Sequence, residues 1–138
     1  MLSQAQDIKF GIKSEMSLRE NIEKIVGDSL TINGGMSVFD YSNKTNTVYA
    51  ELKTRRITHD RYPTAIIGKN KIDYCKPGID YYFVFSYLDG LYYIKYDKAL
   101  FDTFDVNDNY VRGERADCYN PVQTVVMIPT RLLVKYTV

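Results

Sequence analysis

The dipeptide Asp89-Gly90 is the feature that most narrows the folds open to this chain. It lies between two tyrosine-rich runs, Tyr81 to Tyr87 and Leu91 to Tyr96. An Asp-Gly pair between such runs favours the two-residue turn of a β-hairpin, and aromatic residues favour half-buried strands. The sequence therefore predicts an antiparallel strand pair here, and the fold of the chain must contain a β-sheet.

A helix is predicted near the start of the chain. Apolar residues recur at helical spacing from Leu18 to Val26. Ser17 and Glu20 form the capping box that begins many helices, and Gly27 suits the left-handed position that ends them. We therefore expect one helix from Ser17 to Gly27.

An N-terminal hairpin and a second helix are predicted next. Two runs of strand period, Met36 to Tyr41 and Thr47 to Arg55, are joined by the polar tetrad Asn43 to Asn46. The stretch from Tyr62 to Tyr74 is predicted to be helical, because Pro63 suits the first turn of a helix and a Lys-Pro-Gly triplet follows the stretch.

The remainder of the chain predicts less regular structure. A short helix is expected around Lys98 to Phe104, before an irregular connection rich in Asn, Asp and Arg. Pro129 interrupts the final segment, Val122 to Val138, which predicts one strand, a turn and a short helix or edge strand. The order of helix, hairpin, helix, hairpin and terminal strand predicts an α/β fold of the mixed α+β kind, with a mixed central sheet flanked by helices.

Composition excludes several classes of protein. The chain has 138 residues, a formal net charge of +1 and 45% hydrophobic residues, which suit one globular domain over residues 1–138. Cys75 and Cys118 are far apart and His59 is the single histidine, so neither a zinc site nor a disulfide framework is expected. No apolar stretch approaches the roughly 18 residues of a membrane span. We expect an intracellular protein, cytoplasmic or in the host cell if viral, with no membrane partner.

Asp40 on one strand of the N-terminal hairpin and the triplet Glu51-Leu52-Lys53 on the other are the residues that indicate chemistry. Because side chains alternate along a strand, Glu51, Lys53 and Arg55 share one face. The apolar residues between them take the core face. The charged face is therefore expected to point into a cleft or solvent.

The length of the hairpin loop decides whether Asp40 and Glu51 meet. A four-residue loop pairs Asp40 with Tyr49, diagonal to Glu51, and a two-residue loop places the two carboxylates directly opposite each other. Either register brings them within about 5 to 8 Å at the backbone. A three-residue loop would place them on opposite faces of the sheet.

These residue types suit metal-assisted hydrolysis of phosphodiesters. Two carboxylates without imidazole or thiolate form a hard, all-oxygen site that favours Mg²⁺ or Mn²⁺ over Zn²⁺. A lysine two residues beyond the metal carboxylate is placed to orient and help deprotonate an attacking water, or to stabilise charge that develops on phosphorus.

Residues 15–75 resemble the core of the PD-(D/E)XK nuclease superfamily, which is restriction-endonuclease-like. The order is a helix, a strand with Asp40, a strand with the (D/E)xK triplet that begins at Glu51, and a second helix. The string from Glu51 to Lys71, ELKTRRITHDRYPTAIIGKNK, is similar to small phage and large-virus nucleases of this type. Phe39 stands where the motif has proline, a variation that the superfamily tolerates.

The resemblance implies a role for each motif residue. The implied metal ligands are the carboxylates of Asp40 and Glu51 and the backbone carbonyl of Leu52, and the implied catalytic lysine is Lys53. Many members add a Glu from the first helix. Glu23 flanks the apolar stripe of that helix at about 100° and is the better candidate, whereas Glu20 reaches the site if the helix end faces the cleft.

Basic charge is concentrated directly after this motif. Residues 53–76 contain seven basic residues against two acidic ones, a net charge of +5, so the rest of the chain carries −4. A phosphate backbone would lie along this segment. The residues expected to contact nucleic acid are Arg55, Arg56, Arg61, Lys69 and Lys71, with Arg112 and Arg115 as a second contact.

We therefore expect a metal-dependent nuclease that hydrolyses DNA and recognises substrate structure, namely branches, ends, flaps or single strands. The alternatives are a non-catalytic nucleic-acid-binding or protein-binding module of the same fold, and an RNA endonuclease. A homodimer would suit a junction-cutting enzyme. The tyrosines are expected to pack within the sheet, and a stacking platform for unpaired bases is the alternative. His59 is expected to be inert, with a general-base role as the alternative.

Overall fold

The structure, a computed structural model, describes residues 18–111 and 122–137. Residues 18–26 form helix α1. The later helices are α2 (Lys69–Asp73), α3 (Lys98–Phe101) and a 3₁₀ turn (Thr130–Leu132). The strands are β1 (Thr31–Ile32), β2 (Tyr41–Ser42), β3 (Val48–Thr54), β4 (Thr64–Gly68), β5 (Asp80–Tyr87), β6 (Gly90–Lys95), β7 (Asp105–Tyr110), β8 (Gln123–Pro129) and β9 (Val134–Lys135). No helix within the described ranges has the length and apolarity needed to cross a membrane.

These strands form two sheets. The larger sheet has six strands in the order β1-β2-β3-β5-β6-β9, and the smaller has three in the order β4-β8-β7. Strands β3 and β5 run parallel and the other neighbours run antiparallel, so the larger sheet is mixed, as predicted. The hairpin predicted from Asp89-Gly90 is confirmed, but its two-residue loop is Leu88-Asp89, because Tyr87 pairs with Gly90 at the start of β6.

A separate apolar core lies on each face of the larger sheet. On one face, Ile22 of α1 packs against Ala50 of β3 and Val84 of β5. On the other, Phe83 and Phe85 of β5 belong to a larger core with the apolar residues of β4 and β8. The predicted mixed sheet is thus covered by a helix on one face, but largely by a second sheet on the other.

The first helix ends where the sequence predicted. Gly27 has a φ of 78°, a left-handed conformation that glycine adopts without steric cost. Its backbone N–H donates to the carbonyl oxygen of Glu23 at 2.8 Å, and so does that of Asp28 at 3.3 Å. The start of the predicted capping box, Ser17, lies outside the described residues.

The helix predicted from Tyr62 to Tyr74 is wrong over its first half. Strand β4 (Thr64–Gly68) comes first, and the helix is only α2, over Lys69–Asp73. Strand β4 pairs with β8, which is more than fifty residues later in the chain. The β-branched residues Ile66 and Ile67 suit that strand, but its partner cannot be inferred from local sequence.

Two further differences concern short or irregular segments. Residues 36–40 form turns and bends, so the first strand of the N-terminal hairpin is limited to β2 (Tyr41–Ser42). The connection predicted to be irregular after Phe104 contains strand β7 (Asp105–Tyr110), which lies on the edge of the smaller sheet. An edge strand is half solvated and can be polar. The polar composition of β7 therefore did not indicate a strand.

Candidate metal and nucleic-acid site

The register between β2 and β3 brings Asp40 and Glu51 together. Tyr41 pairs with Ala50 and Ser42 pairs with Tyr49, so one further step places Asp40 directly opposite Glu51. Directly opposed residues share a face of the sheet. The sequence allowed two registers that place both carboxylates on one face, one diagonal and one directly opposed. The structure has the directly opposed register, although the loop is longer than the predicted tetrad.

The side chain of Asn43 holds this longer loop. Its Oδ1 accepts hydrogen bonds from the backbone N–H groups of Thr47 at 2.8 Å and Val48 at 3.0 Å. Its Nδ2 donates to Oδ2 of Asp28 at 3.0 Å, and this hydrogen bond is the main cause of the lowered pKa of Asp28. Asn43 is buried, with 5% of its surface exposed. Its amide therefore fixes the loop that sets the Asp40–Glu51 register.

Glu51 is the most buried charged residue of the site, with 2% of its surface exposed. It pairs with Phe83 of β5 and faces the core between the two sheets. Its face was expected to point into a cleft or solvent; solvent is wrong at Glu51, whose buried carboxylate lies beside Asp40, Lys53 and Lys71. Burial raises the pKa of Glu51 to about 7, and the hydrogen bond with Asp40 acts in the same direction.

Asp40 is held against the following strand. Its Oδ2 accepts a hydrogen bond from the backbone N–H of Leu52 at 2.8 Å. The charge of Asp40 also contributes to the raised pKa of Glu51, since two close carboxylates resist simultaneous ionisation. The (D/E)xK strand thus orients both carboxylates: it carries Glu51 and binds Asp40 through its own backbone.

Two lysines accompany these carboxylates. Nζ of Lys53 lies 3.6 Å from Oε2 of Glu51, and Nζ of Lys71 lies 2.9 Å from the same atom. Lys71 also donates a hydrogen bond to the backbone carbonyl of Val38. The sequence predicted Lys71 as a phosphate contact on a helix. The structure places its ammonium against Glu51, a contact that depends on the unpredicted strand β4, which precedes α2.

The two glutamates of α1 do not join this cluster. Helix α1 packs on the Ala50 face of the sheet, opposite the face of Glu51. Oε2 of Glu23 accepts a hydrogen bond from the backbone N–H of Leu30 at 2.7 Å, and Glu20 is exposed. Within the described residues, neither Glu lies close enough to Asp40 and Glu51 to share one cation with them.

The predicted nucleic-acid contacts have different surroundings. Arg55 lines a groove together with Lys53, and Arg56 is exposed. The guanidinium of Arg61 lies 5.3 Å from the ring centroid of Tyr62. Lys69 forms an ion pair with Asp73 at 2.7 Å on α2. The other two predicted contacts, Arg112 and Arg115, lie outside the described residues.

A second group of potential metal ligands was not predicted. His59, Asp60 and Asp89 each place a ligand atom within 4.8 Å of the others. Asp89 already binds His59 twice, through the backbone N–H at 2.9 Å and through Nδ1 of the ring. The His59 ring also stacks on Tyr92. These contacts connect the loop after β3 to the β5–β6 turn. His59 therefore has a structural partner, Asp89, that the sequence did not indicate.

The donor atoms of the Asp40–Glu51 pair fit a hard divalent cation. Both residues offer carboxylate oxygens, and they lie close together: burial is the main cause of the raised pKa of Glu51, and the hydrogen bond and charge of Asp40 act in the same direction. Mg²⁺ and Mn²⁺ accept such oxygen ligands and retain water in the rest of their shell. The geometry can therefore combine a cation, two carboxylates and two ammonium groups in one partly enclosed site.

The chain was compared with protein families, proteins of curated function and solved structures. A family model described as "Phage putative PDDEXK endonuclease" matches residues 7–136 of the chain. This range contains both sheets and the whole Asp40, Glu51 and Lys53 cluster. No protein of curated function and no solved structure matches the chain significantly.

Proposed function

Because this chain belongs to the phage PD-(D/E)XK endonuclease family, we propose that it is an Mg²⁺- or Mn²⁺-dependent nuclease that hydrolyses phosphodiester bonds in DNA. The observation that carries the proposal is the opposition of Asp40 to Glu51, with Lys53 3.6 Å from the Glu51 carboxylate. Glu51 is buried beside a second carboxylate, and its pKa is raised. Carboxylates with such perturbed pKa values are typical of functional sites.

The carboxylates of Asp40 and Glu51 would hold the cation, with the backbone carbonyl of Leu52 as a further ligand. When bound, the cation supplies Lewis-acid stabilisation of charge on the phosphate and lowers the pKa of water. The N–H of Leu52 fixes the orientation of Asp40 at 2.8 Å. The carboxylate oxygens are thus oriented before the substrate binds, so little reorganisation of the site is needed during the reaction.

The two lysines are proposed to have different roles. Lys53 is proposed to orient the attacking water or stabilise the charge that develops on phosphorus, since its ammonium is near Glu51 and also reaches the groove. Lys71 is proposed as a positioning residue that favours the ionised form of Glu51, because its hydrogen bond opposes the rise of the Glu51 pKa.

Basic residues outside the cluster are proposed to bind the phosphate backbone. Arg55 directly follows β3 and lines the same groove as Lys53, and Arg56 and Arg61 follow on the adjoining loop. Contacts to phosphate give affinity without reading bases. We therefore propose recognition of DNA structure rather than sequence, and a homodimer would suit cleavage of two strands.

The proposal is tested with the purified full chain, incubated with plasmid, branched and single-stranded DNA in Mg²⁺, Mn²⁺ or EDTA. We expect cleavage with either metal, none in EDTA, and a loss of at least about 100-fold in Lys53→Ala and Glu51→Gln. The control is Lys95→Ala, which removes an exposed lysine that pairs with Asp80 on the same sheet. Thermal unfolding of each variant establishes that it is folded.

Two results would contradict the proposal of a DNA nuclease. If wild type binds these substrates but leaves them intact in both metals, a non-catalytic binding module of the same fold is favoured. If RNA of the same sequence is cleaved and DNA is not, the enzyme is an RNA endonuclease. Equal cleavage by wild type and Lys53→Ala would remove Lys53 from the proposed mechanism.

A further inference from the structure

A groove of about 270 Å³ opens beside Lys53 between the two sheets. Its walls come from β3, β4, β5, β7, β8 and the loop after β3. Its polar lining includes Lys53, Arg55, Thr64 and Gln123, and its aromatic lining includes Tyr62, Phe85, Tyr87 and Tyr110. The groove thus combines cationic groups with flat aromatic side chains.

Lys53 connects this groove to the carboxylate cluster. Lys53 lines the groove and its Nζ lies 3.6 Å from Glu51. Arg55 follows two residues later, and alternation along the strand directs it to the same side. Arg55 is also close enough to Tyr87 to influence the pKa of its hydroxyl. A nucleic-acid strand bound near the carboxylates would therefore have both cationic and aromatic side chains within this groove.

Tyr62 is the most accessible aromatic residue of the groove, with 54% of its surface exposed. Its backbone is nevertheless anchored. The carbonyl oxygen of Tyr62 accepts a hydrogen bond from Oγ1 of Thr130 at 3.3 Å, and the carbonyl of Pro63 accepts one from the backbone N–H of Thr130 at 2.9 Å. An exposed ring on a fixed backbone offers a stacking surface with little ordering cost.

The size of the groove limits its occupant. Pockets for drug-sized ligands have volumes of about 300–1,000 Å³, so about 270 Å³ accommodates one small planar group. A base that is paired and stacked in a duplex must first be extruded before it can enter such a pocket, whereas an unpaired base needs no such step. Unpaired bases stack on aromatic side chains, with a backbone held by cations.

We propose that this groove binds one unpaired nucleobase of the substrate strand, stacked on Tyr62, while the adjoining phosphate lies at Lys53 and Arg55. The Thr64 hydroxyl and the Gln123 amide offer polar contacts to the edge of the base. This inference rests on the proposed nuclease function for the identity of the neighbouring site, and it deepens that function by naming DNA with an unpaired segment as the substrate class.

The test is a binding measurement in EDTA, where no metal-dependent cleavage occurs. Fluorescently labelled single-stranded DNA is compared with an otherwise identical strand that carries abasic sites, and with a duplex. We expect wild type to bind the intact single strand most tightly. Tyr62→Ala should weaken that binding about tenfold, in line with the loss of one stacked base, and should leave binding of the abasic strand unchanged. Tyr62→Phe should retain wild-type affinity.

Tyr74→Ala is the matched control. Tyr74 has the same exposed fraction, 54%, but does not line this groove. The inference is overturned if wild type binds intact and abasic strands equally or binds neither, or if Tyr62→Ala and Tyr74→Ala have equal effects. Cleavage by wild type combined with such a result leaves the nuclease proposal intact. Tyr62-dependent binding without cleavage in Mn²⁺ contradicts the nuclease proposal alone.

Discussion

Nζ of Lys71 lies 2.9 Å from Oε2 of Glu51, closer than Nζ of Lys53, which is 3.6 Å from the same atom. The second lysine comes from α2, a helix of five residues that follows β4. Only 22% of its side chain is exposed. A basic residue that the sequence placed among phosphate contacts is therefore part of the carboxylate cluster.

Lys71→Met should lower the rate of metal-dependent DNA cleavage by about 10- to 100-fold at pH 7. Without the ammonium, the pKa of Glu51 rises further, and a smaller fraction of the proposed metal ligand is ionised. Part of the loss should therefore be recovered at pH 9. The measurement is the cleavage rate as a function of pH in Mn²⁺.

The matched control for this change is Lys69→Met, on the same helix. Lys69 pairs with Asp73 rather than with Glu51, so the pH profile should keep its wild-type shape. Identical pH profiles for wild type and Lys71→Met would show that Lys71 does not act through Glu51.

Stability should fall as pH rises because Glu51 is buried. The pKa of Glu51 is about 7 in the folded protein against an ordinary value of 4.5. Between these pH values the folded chain holds a proton that the unfolded chain has released, so the free energy of unfolding declines with pH. The decline reaches at most about 3 kcal/mol. Urea denaturation in EDTA at pH 4.5, 6, 7 and 8 should show it in wild type and lose it in Glu51→Gln.

An exposed glutamate supplies the comparison for that experiment. Glu20→Gln should follow the wild-type pH profile, since Glu20 is exposed on α1. Added Mn²⁺ should stabilise wild type more at pH 8 than at pH 5, because metal ligands must be deprotonated. Parallel profiles for wild type and Glu51→Gln would contradict a raised pKa at Glu51.

Asn43→Ala should reduce the free energy of unfolding by about 2 to 3 kcal/mol. The substitution removes the acceptor of two backbone N–H groups, those of Thr47 and Val48, within a partly buried loop. Because this loop sets the β2–β3 register, cleavage should also fall at temperatures where the variant is folded. Asn46→Gly in the same loop relieves a φ of 57° at a non-glycine residue and should change stability by less than about 1 kcal/mol. Equal effects of the two substitutions would refute the anchoring role of Asn43.

Asp89→Asn should leave metal-dependent cleavage nearly unchanged. Asp89 binds the backbone N–H and the ring of His59. We interpret these contacts as structural, because they connect the loop after β3 to the β5–β6 turn. Loss of the charge should cost about 1 to 2 kcal/mol of stability. Calorimetric titration with Mn²⁺ distinguishes the two ligand groups, since Asp40→Asn should abolish binding and Asp89→Asn should not. The reverse pattern would assign the metal to His59, Asp60 and Asp89.

Local sequence was sufficient for elements whose signals lie within a few residues. The Asp89-Gly90 signal predicted the β5–β6 hairpin, although the loop lies one residue earlier, and Gly27 ends α1, because each depends on backbone preferences at one or two positions. The alternation of β3 likewise placed Glu51 and Lys53 on one face. The same reasoning failed for β4, whose partner β8 lies far away in sequence.

The sequence by itself determined that Asp40 and a Glu51-Leu52-Lys53 strand exist within a β-rich chain, because side-chain alternation needs no distant partner. Only the tertiary structure decided what surrounds them. Glu51 is buried in the folded chain, and α2 places Lys71 at its carboxylate. The same packing leaves a groove beside Lys53. Burial, pKa and pocket shape arise from residues that are distant in sequence and meet only when the two sheets pack together.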